Sequence, residues 1–197
     1  MKIRTIFTFV IIGMFAACTS PEKESPKNQE KNAISQNENA SPENTVLNFL
    51  NWYKQNSQNL SFNLVFNNGD HKGGPTKFYS VDFPATEIYL TQLLESGFLS
   101  SKYAESQRAY FRKCDQKFKE LPTDEGPPEG FDQDLVMFAQ EDPGLNDLRK
   151  AQIKITKSDK ASAVIALSFP ESNYHYIYEM SKIGPKWLID DIEPRKM

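Results

Sequence analysis

Ala163-Val164-Ile165-Ala166-Leu167-Ser168-Phe169, followed by Tyr174-His175-Tyr176-Ile177-Tyr178-Glu179-Met180, alternates apolar or aromatic residues with others at every second position. A period of two sends Ala163, Ile165, Leu167 and Phe169 to one face of a strand, and Tyr174, Tyr176, Tyr178 and Met180 to one face of the next. Ile153 with Ile155 upstream and Trp187 to Ile192 downstream extend the pattern, so the C-terminal third reads as three or four antiparallel strands. Ser158-Asp159-Lys160 and Lys182-Ile183-Gly184-Pro185 are the expected turns, the second placing Trp187 at the start of the last strand.

Upstream of these strands the apolar period lengthens to that of a helix. Ser41 reads as an N-cap, Pro42 as the first helical residue and Glu43 as a first-turn acid. Val46, Phe49, Leu50 and Tyr53 then form the stripe of an amphipathic helix to about Gln55. Leu60, Phe62, Leu64 and Phe66 alternate with polar residues before Asn68-Gly69, and Lys77 to Phe83 is extended in character, with Gly73-Gly74-Pro75 between. A loose hairpin is expected there. These glycines are not followed by the Lys-Ser or Lys-Thr pair of a phosphate cradle, so they read as a turn.

Ala85 to Leu121 reads as two helices. Ile88, Tyr89, Leu93 and Leu94 make the first stripe, Gly97 supplies a stop, and Ser100 or Ser101 restarts the chain. In the second helix Tyr103, Tyr110, Phe111, Cys114, Phe118 and Leu121 are expected on one face, with Cys114 a small core residue among aromatic rings. A reactive thiol would need a cationic or His partner, and Arg112 and Lys113 point to other faces. After Pro122 the segment Thr123 to Gly130 is a loop, leading through Phe131-Asp132-Gln133-Asp134 into an apolar stretch from Leu135 to Ala139. Helices first and an antiparallel sheet last define an α+β class, with N-terminal helices packed on a curved sheet.

The amino terminus has a different character. Lys2 and Arg4 precede an apolar run from Ile6 to Met14 that ends in Phe15-Ala16-Ala17-Cys18. The pattern resembles a bacterial lipoprotein signal peptide, being too short for a membrane span of about 20 residues. Residues 1–17 are therefore read as the signal, with Cys18 as the mature terminus. The resemblance implies a diacylglyceride on the Cys18 sulfur and an acyl chain on the new amino group. Each buried methylene contributes about 0.8 kcal/mol, so two or three chains hold stably to a lipid membrane. Phe15 stands where such signals usually carry Leu, and an ordinary signal cut near Ala17 is the alternative. Thr19 in place of Asp after the cysteine favours, by the same resemblance, the outer membrane over the inner.

Removing residues 1–17 takes Lys2 and Arg4 from the 23 Lys and Arg, leaving 21 against 26 Asp and Glu; formal charge moves from −3 to −5. No basic run forms the footprint that nucleic acid requires, and no polybasic stretch supports binding to anionic lipid heads. With Cys18 acylated, Cys114 has no cysteine to pair with. From Thr19 to Ser41 the apolar residues are Ala33, Ile34 and Ala40, so residues 18–41 read as the acylated cysteine and a disordered tether. A flexible coil of that length spans on the order of 25–30 Å end to end. The remaining residues, 42–197, match one domain able to bury a real core.

Several segments carry a wider resemblance: Asn51-Trp52-Tyr53, Glu87-x-Tyr89-Leu90, Ser96-Gly97-Phe98-Leu99-Ser100, Tyr110-Phe111, Pro128-x-Gly130-Phe131-Asp132 and Trp187-Leu188-Ile189-Asp190-Asp191-Ile192. Together they resemble an uncharacterised family of bacterial lipoproteins, known as a domain of unknown function. That resemblance implies a fold similar to the nuclear-transport-factor-two-like cone, in which a curved sheet wraps against helices. It brings no catalytic residues with it.

Cone folds enclose a pocket, and related members include enzymes that abstract protons with Asp, Glu or a His–Asp pair. His175 paired with Asp190 or Asp191 is the enzymatic alternative, of isomerase, dehydratase or hydrolase type; a solvent-facing His beside Glu179 is the ordinary outcome. His71, in the Gly-rich loop, has less to recommend it. Asp124, Glu125, Glu129, Asp132 and Asp134 gather carboxylates in one loop, where Asp132 and Asp134 are the metal candidates. Their spacing does not fit an EF-hand, and capping of turns is the competing role. Tyr174, Tyr176 and Tyr178 either pack as core or line a ligand pocket with hydroxyl donors. No motif calls for a cofactor. The expected function is that of a lipid-anchored envelope lipoprotein with a non-enzymatic domain that binds a small ligand or another envelope protein.

Overall fold

A computed structural model describes residues 41–61, 63–67, 79–122 and 127–195. Residues 1–17 expected as a signal peptide, Cys18, most of the segment expected as a tether, Asn68-Gly69, His71, Gly73-Gly74-Pro75, Asp124 and Glu125 lie outside the described residues. The described chain is α+β: helices and short connections first, an antiparallel sheet last.

Helix α1 runs Pro42–Asn56, α2 Phe83–Leu94 and α3 Ser101–Glu120. Each starts where a side chain can cap it. Ser41 Oγ accepts from Asn44 N at 3.3 Å, Asp82 Oδ1 from Ala85 N at 3.0 Å and Ser100 Oγ from Tyr103 N at 3.4 Å. Such caps satisfy N–H groups that have no partner within the helix. Because Asp82 is the cap, α2 begins two residues earlier than the expected Ala85. Gly97, at φ +73°, turns the chain away after α2, a conformation that costs glycine little. Leu121 departs from expectation: it is 76% exposed, because α3 ends at Glu120 and the backbone leaves the helical path that carried the buried stripe.

The hairpin is shorter than its alternation suggests. Strands β1 (Val65–Asn67) and β2 (Tyr79–Val81) pair antiparallel, with Val65 opposite Val81. Leu60 and Leu64 are buried without joining a strand, since a single 3-10 turn over Ser57–Asn59 redirects the chain after α1. Within α3, buried Asp115 anchors the hairpin by accepting from Val81 N at 3.1 Å.

The main sheet is a meander, β3 (Gln152–Ser158), β4 (Ser162–Phe169), β5 (Tyr174–Ile183) and β6 (Lys186–Arg195), ordered 3-4-5-6 and antiparallel throughout. Ile165 stands opposite Tyr178 and Leu167 opposite Tyr176, so the predicted inward sets of β4 and β5 share one buried face. On β6, strict alternation would send Ile189 and Ile192 to opposite faces. A bulge resolves this: Glu179 pairs with Asp191 and Met180 with Ile189, leaving Asp190 as the extra residue, and both isoleucines are buried.

Helices α1 and α3 cover the buried face, α1 against β3, β4 and β6, α3 against β6. Backbone bonds from Ser100 N to Ile189 O and from Ile189 N to Phe98 O, both 2.9 Å, join the segment before α3 to β6. One hydrophobic cluster runs from Val46, Phe49 and Leu50 through Leu93, Phe111 and Phe118 to the sheet residues. Among the described residues no helix is long and apolar enough to cross a membrane.

Candidate functional site

The loop after α3 does most to shape the surface. Gly130, at φ +86°, brings the backbone against α3: Tyr110 Oη donates to Gly130 O at 2.8 Å, and a Cβ at residue 130 would lie 2.6 Å from that hydroxyl. Phe131 then stacks on Phe111 at 5.8 Å between ring centres. From there residues 134–139 close on themselves. Asp134 N donates to Ala139 O at 2.9 Å and Phe138 N to Asp134 O at 2.8 Å, while Phe138 takes the uncommon φ of +49°.

The Asp134 side chain holds this loop from inside. Its Oδ1 accepts from Val136 N at 2.8 Å and Met137 N at 2.7 Å, and its Oδ2 accepts from Tyr53 Oη at 2.7 Å. Tyr176 Oη donates to Met137 O at 2.7 Å, pinning the same loop to the sheet. A short polar residue at the head of an apolar stretch thus serves as the cap that its competing reading anticipated.

Above Asp134 opens a cleft of about 330 Å³. Leu60, Leu64, Leu135 and Phe131 form apolar walls, and Ser57, Gln58, Ser61 and Gln133 supply polar groups. Tyr53 and Tyr89 join Asp134 at its floor. Its size is at the low end of small-molecule sites, roughly 300–1,000 Å³, and the mixture of apolar wall and few polar groups is what such sites carry.

Burial pushes the Tyr53 phenol far above its ordinary pKa, with Tyr89 and Asp134 pushing the same way. Tyr89 is raised by burial and then by Asp134, although the Tyr53 hydroxyl beside it acts in the opposite direction. Tyr103 and Tyr178 are raised by burial too, and both feel Asp134. Tyr176 is raised by burial first, then by Tyr174 and Asp134; five phenols therefore lie near one carboxylate, and all keep their protons at physiological pH. The Tyr103 and Tyr178 hydroxyls and Gln107 Oε1 are buried without a hydrogen-bond partner among the described residues. The floor can donate O–H groups and accept at a carboxylate; it presents no tyrosinate to act as base or nucleophile.

The sequence-predicted residues are distributed differently. Tyr176 and Tyr178 are core, and Tyr174 stacks on Tyr176 at 6.3 Å. Tyr174 and His175 line another cleft of about 590 Å³ with Phe138, Asn173, Pro194, Arg195 and Gln133, the last of which also borders the Asp134 cleft. His175 stands opposite Arg195, and its Nε2 lies 3.3 Å from Asn173 Oδ1. Asp191 stands opposite Glu179, four residues along β5, about 13 Å away at the usual strand rise. Asp190 is occupied: Oδ1 accepts from Ser100 Oγ at 2.6 Å and Ser181 Oγ at 2.9 Å, and Oδ2 lies 3.1 Å from Lys102 Nζ. Asp191 accepts from Ile192 N at 3.0 Å and Ser106 Oγ at 3.4 Å. The structure does not bring the His175 dyad together; both aspartates fasten β6 to neighbouring elements instead.

Asp132 accepts from Gly130 N at 3.3 Å and Gln140 Nε2 at 3.2 Å, so it too closes the loop. Among the described residues no three His, Cys, Asp or Glu side chains are grouped to hold a metal. Burial pushes the Cys114 thiol up, outweighing the Tyr110 hydroxyl and nearby Lys117, which favour the thiolate. That is the setting of an unreactive core cysteine.

Sequence reasoning missed Tyr53 and Tyr89 as site residues, since both sit on helical stripes where a core role suffices. A usable signal is their hydroxyls: a buried tyrosine needs a partner, and Asp134 is one of the carboxylates set directly against an apolar stretch. No protein-family model, curated protein or solved structure matches this chain.

Proposed function

We propose that this chain is a lipid-anchored envelope lipoprotein whose folded domain is a non-enzymatic binding module, capturing a small ligand in the cleft over Tyr53, Tyr89 and Asp134. One observation carries the binding reading: buried polar groups from α1, α2 and the loop after α3 converge on an open, apolar-walled cleft. The enzymatic alternative needs His175 beside Asp190 or Asp191; the pairing of His175 with Arg195 and of Asp191 with Glu179, and the hydrogen bond from Ser100 to Asp190, favour the binding reading over it.

Anchoring is read from residues 1–18, with Cys18 as the acylated residue and the segment to Ser41 as a tether to the outer membrane. A cone-like shape for the domain follows the family resemblance. It is supported by the bulge at Asp190 and a second register shift between Ile155 and Lys157, since bulges bend and twist a sheet.

Two measurements test these readings. Membrane fractions from cells expressing the full chain are washed with carbonate. Wild type should stay with the membrane and Cys18→Ser should be released; a retained Cys18→Ser refutes the acyl anchor. Purified full chain in non-ionic detergent is then screened by thermal shift against small molecules. Hits should raise the melting temperature without being consumed, and Leu64→Trp, which fills the cleft, should abolish the shift. Turnover of a hit would replace the binding reading with an enzymatic one.

A further inference from the structure

The cleft has a sign. Among the described residues that line it, Asp134 is the one charged side chain, with no Lys, Arg or His. An ionised carboxylate is acceptor-only, with about four acceptor positions on its two oxygens. Val136 N, Met137 N and Tyr53 Oη take three of them. Acceptor capacity is left over at a position that borders the cleft.

The walls match that sign. Tyr53, Tyr89 and Phe131 bring three aromatic residues to the lining that Asp134 shares, and aromatic rings attract cations. Leu60, Leu64 and Leu135 would cover an apolar body. A carboxylate or phosphate ligand would meet a like charge with no cation among the described lining residues to offset it, which disfavours it strongly in a partly desolvated site. The groups that close the cleft against anions are those that would hold a cation.

We propose that the cleft over Tyr53, Tyr89 and Asp134 takes a small organic cation, an ammonium group on a compact apolar or aromatic body. Its ammonium hydrogens point to Asp134 Oδ2 and its body lies between Phe131 and the leucines. This identification rests on the cleft being a binding site at all, as argued above, and adds to it the charge of the occupant.

The test uses the full chain in non-ionic detergent at low ionic strength, with three probes that share a phenylethyl body: 2-phenylethylammonium, 2-phenylethanol and 3-phenylpropanoate. Affinities are read by titration calorimetry against a detergent blank. The ammonium probe should bind at least about tenfold more tightly than either of the others, a difference of one decade in Kd. Asp134→Asn should reduce that preference to about twofold or less. Gln58→Lys, at an exposed position on the rim, should reduce it by adding a positive charge without touching the loop.

Equal or tighter binding of the alcohol or the carboxylate overturns the cation and leaves the binding module standing. An ammonium preference that survives both Asp134→Asn and Gln58→Lys overturns it as well, because the charge of this cleft would then not be its source. Binding of none of the three probes, together with an empty thermal-shift screen, removes the cleft reading and the cation with it.

Discussion

Replacing Asp134 separates the shape of this side chain from its charge. In Asp134→Ala the N–H groups of Val136 and Met137 lose their acceptor, and both residues are fully buried. An unmet buried donor costs about 1–3 kcal/mol, and the Tyr53 hydroxyl loses its carboxylate besides, so the expected destabilisation is about 3–5 kcal/mol. For a domain of this size that lowers Tm by about 6–20 °C. Asp134→Asn keeps an amide oxygen for the two N–H groups, and its NH₂ can face the Tyr53 oxygen while that hydroxyl turns toward Tyr89; the loss should be about 1 kcal/mol. Urea unfolding of full-length variants in one detergent, followed by circular dichroism, gives both values from shifts in Cm at constant slope. If Asp134→Ala unfolds within about 1 kcal/mol of wild type, the loop is not held from Asp134 and the construction of the site described above is wrong.

Ile165→Ala should destabilise by about 2–5 kcal/mol, because Ile165 is fully buried opposite Tyr178 and the truncation leaves a cavity; a loss under about 1 kcal/mol in the same unfolding assay would place it outside the core. Gly130→Ala combines a positive φ with a Cβ 3.0 Å from Cys114 Sγ and closer still to Tyr110 Oη, so it should cost more than the roughly 1 kcal/mol of an ordinary unfavourable Gly→Ala change and should shift the near-ultraviolet signal of Tyr110. Asp142 and Asp115 give an acid dependence. Burial alone would raise each carboxyl, but the backbone N–H groups of Gly144, Leu145 and Asn146 around Asp142, and Lys119 with Val81 N around Asp115, outweigh it and hold both below the usual range. A depressed folded-state pKa stabilises above the unfolded value of about 3.9 and is lost as pH falls through the folded value. Tm should therefore be insensitive to these two groups from neutral pH to about 5 and fall below about 4, and Asp142→Asn should flatten part of that fall; an unchanged slope would exclude Asp142 from it.

The elements were legible because their causes are local. Ser41 with Pro42, Gly97 and Ser100 mark helix ends by their own chemistry, and the alternation from Ala163 to Met180 survives as the buried face of β4 and β5. The stretch from Trp187 to Ile192 reads as continuous alternation, and only the pairing of Asp191 with Glu179 and of Ile189 with Met180 shows that Asp190 is the residue pushed out. The cleft was not legible, because its causes are distant. Tyr53 becomes a site residue through a carboxylate 81 positions away, and nothing in its own helix distinguishes it from Phe49 or Leu50. The three strand tyrosines drew attention for the opposite reason: a conspicuous local row, whose two inner members the register assigns to the core.

Why residue 134 is an aspartate is a question that stability leaves open. Its structural partners are two N–H groups and one hydroxyl that can turn, a set that an asparagine could also satisfy. A carboxylate brings in addition a negative charge into a half-buried position among tyrosine hydroxyls, with no cation among the described residues that line the cleft. Removing charge from water is costly unless something repays it, and hydrogen bonds from neutral donors repay only part. The small expected cost of Asp134→Asn and the large expected cost of Asp134→Ala state this in measurable form: the loop needs the oxygen, and the charge is in excess of what the loop needs. A positive ligand is the partner that turns this excess into binding energy, and an Asp134→Asn variant as unstable as Asp134→Ala would mean instead that the fold itself uses the charge.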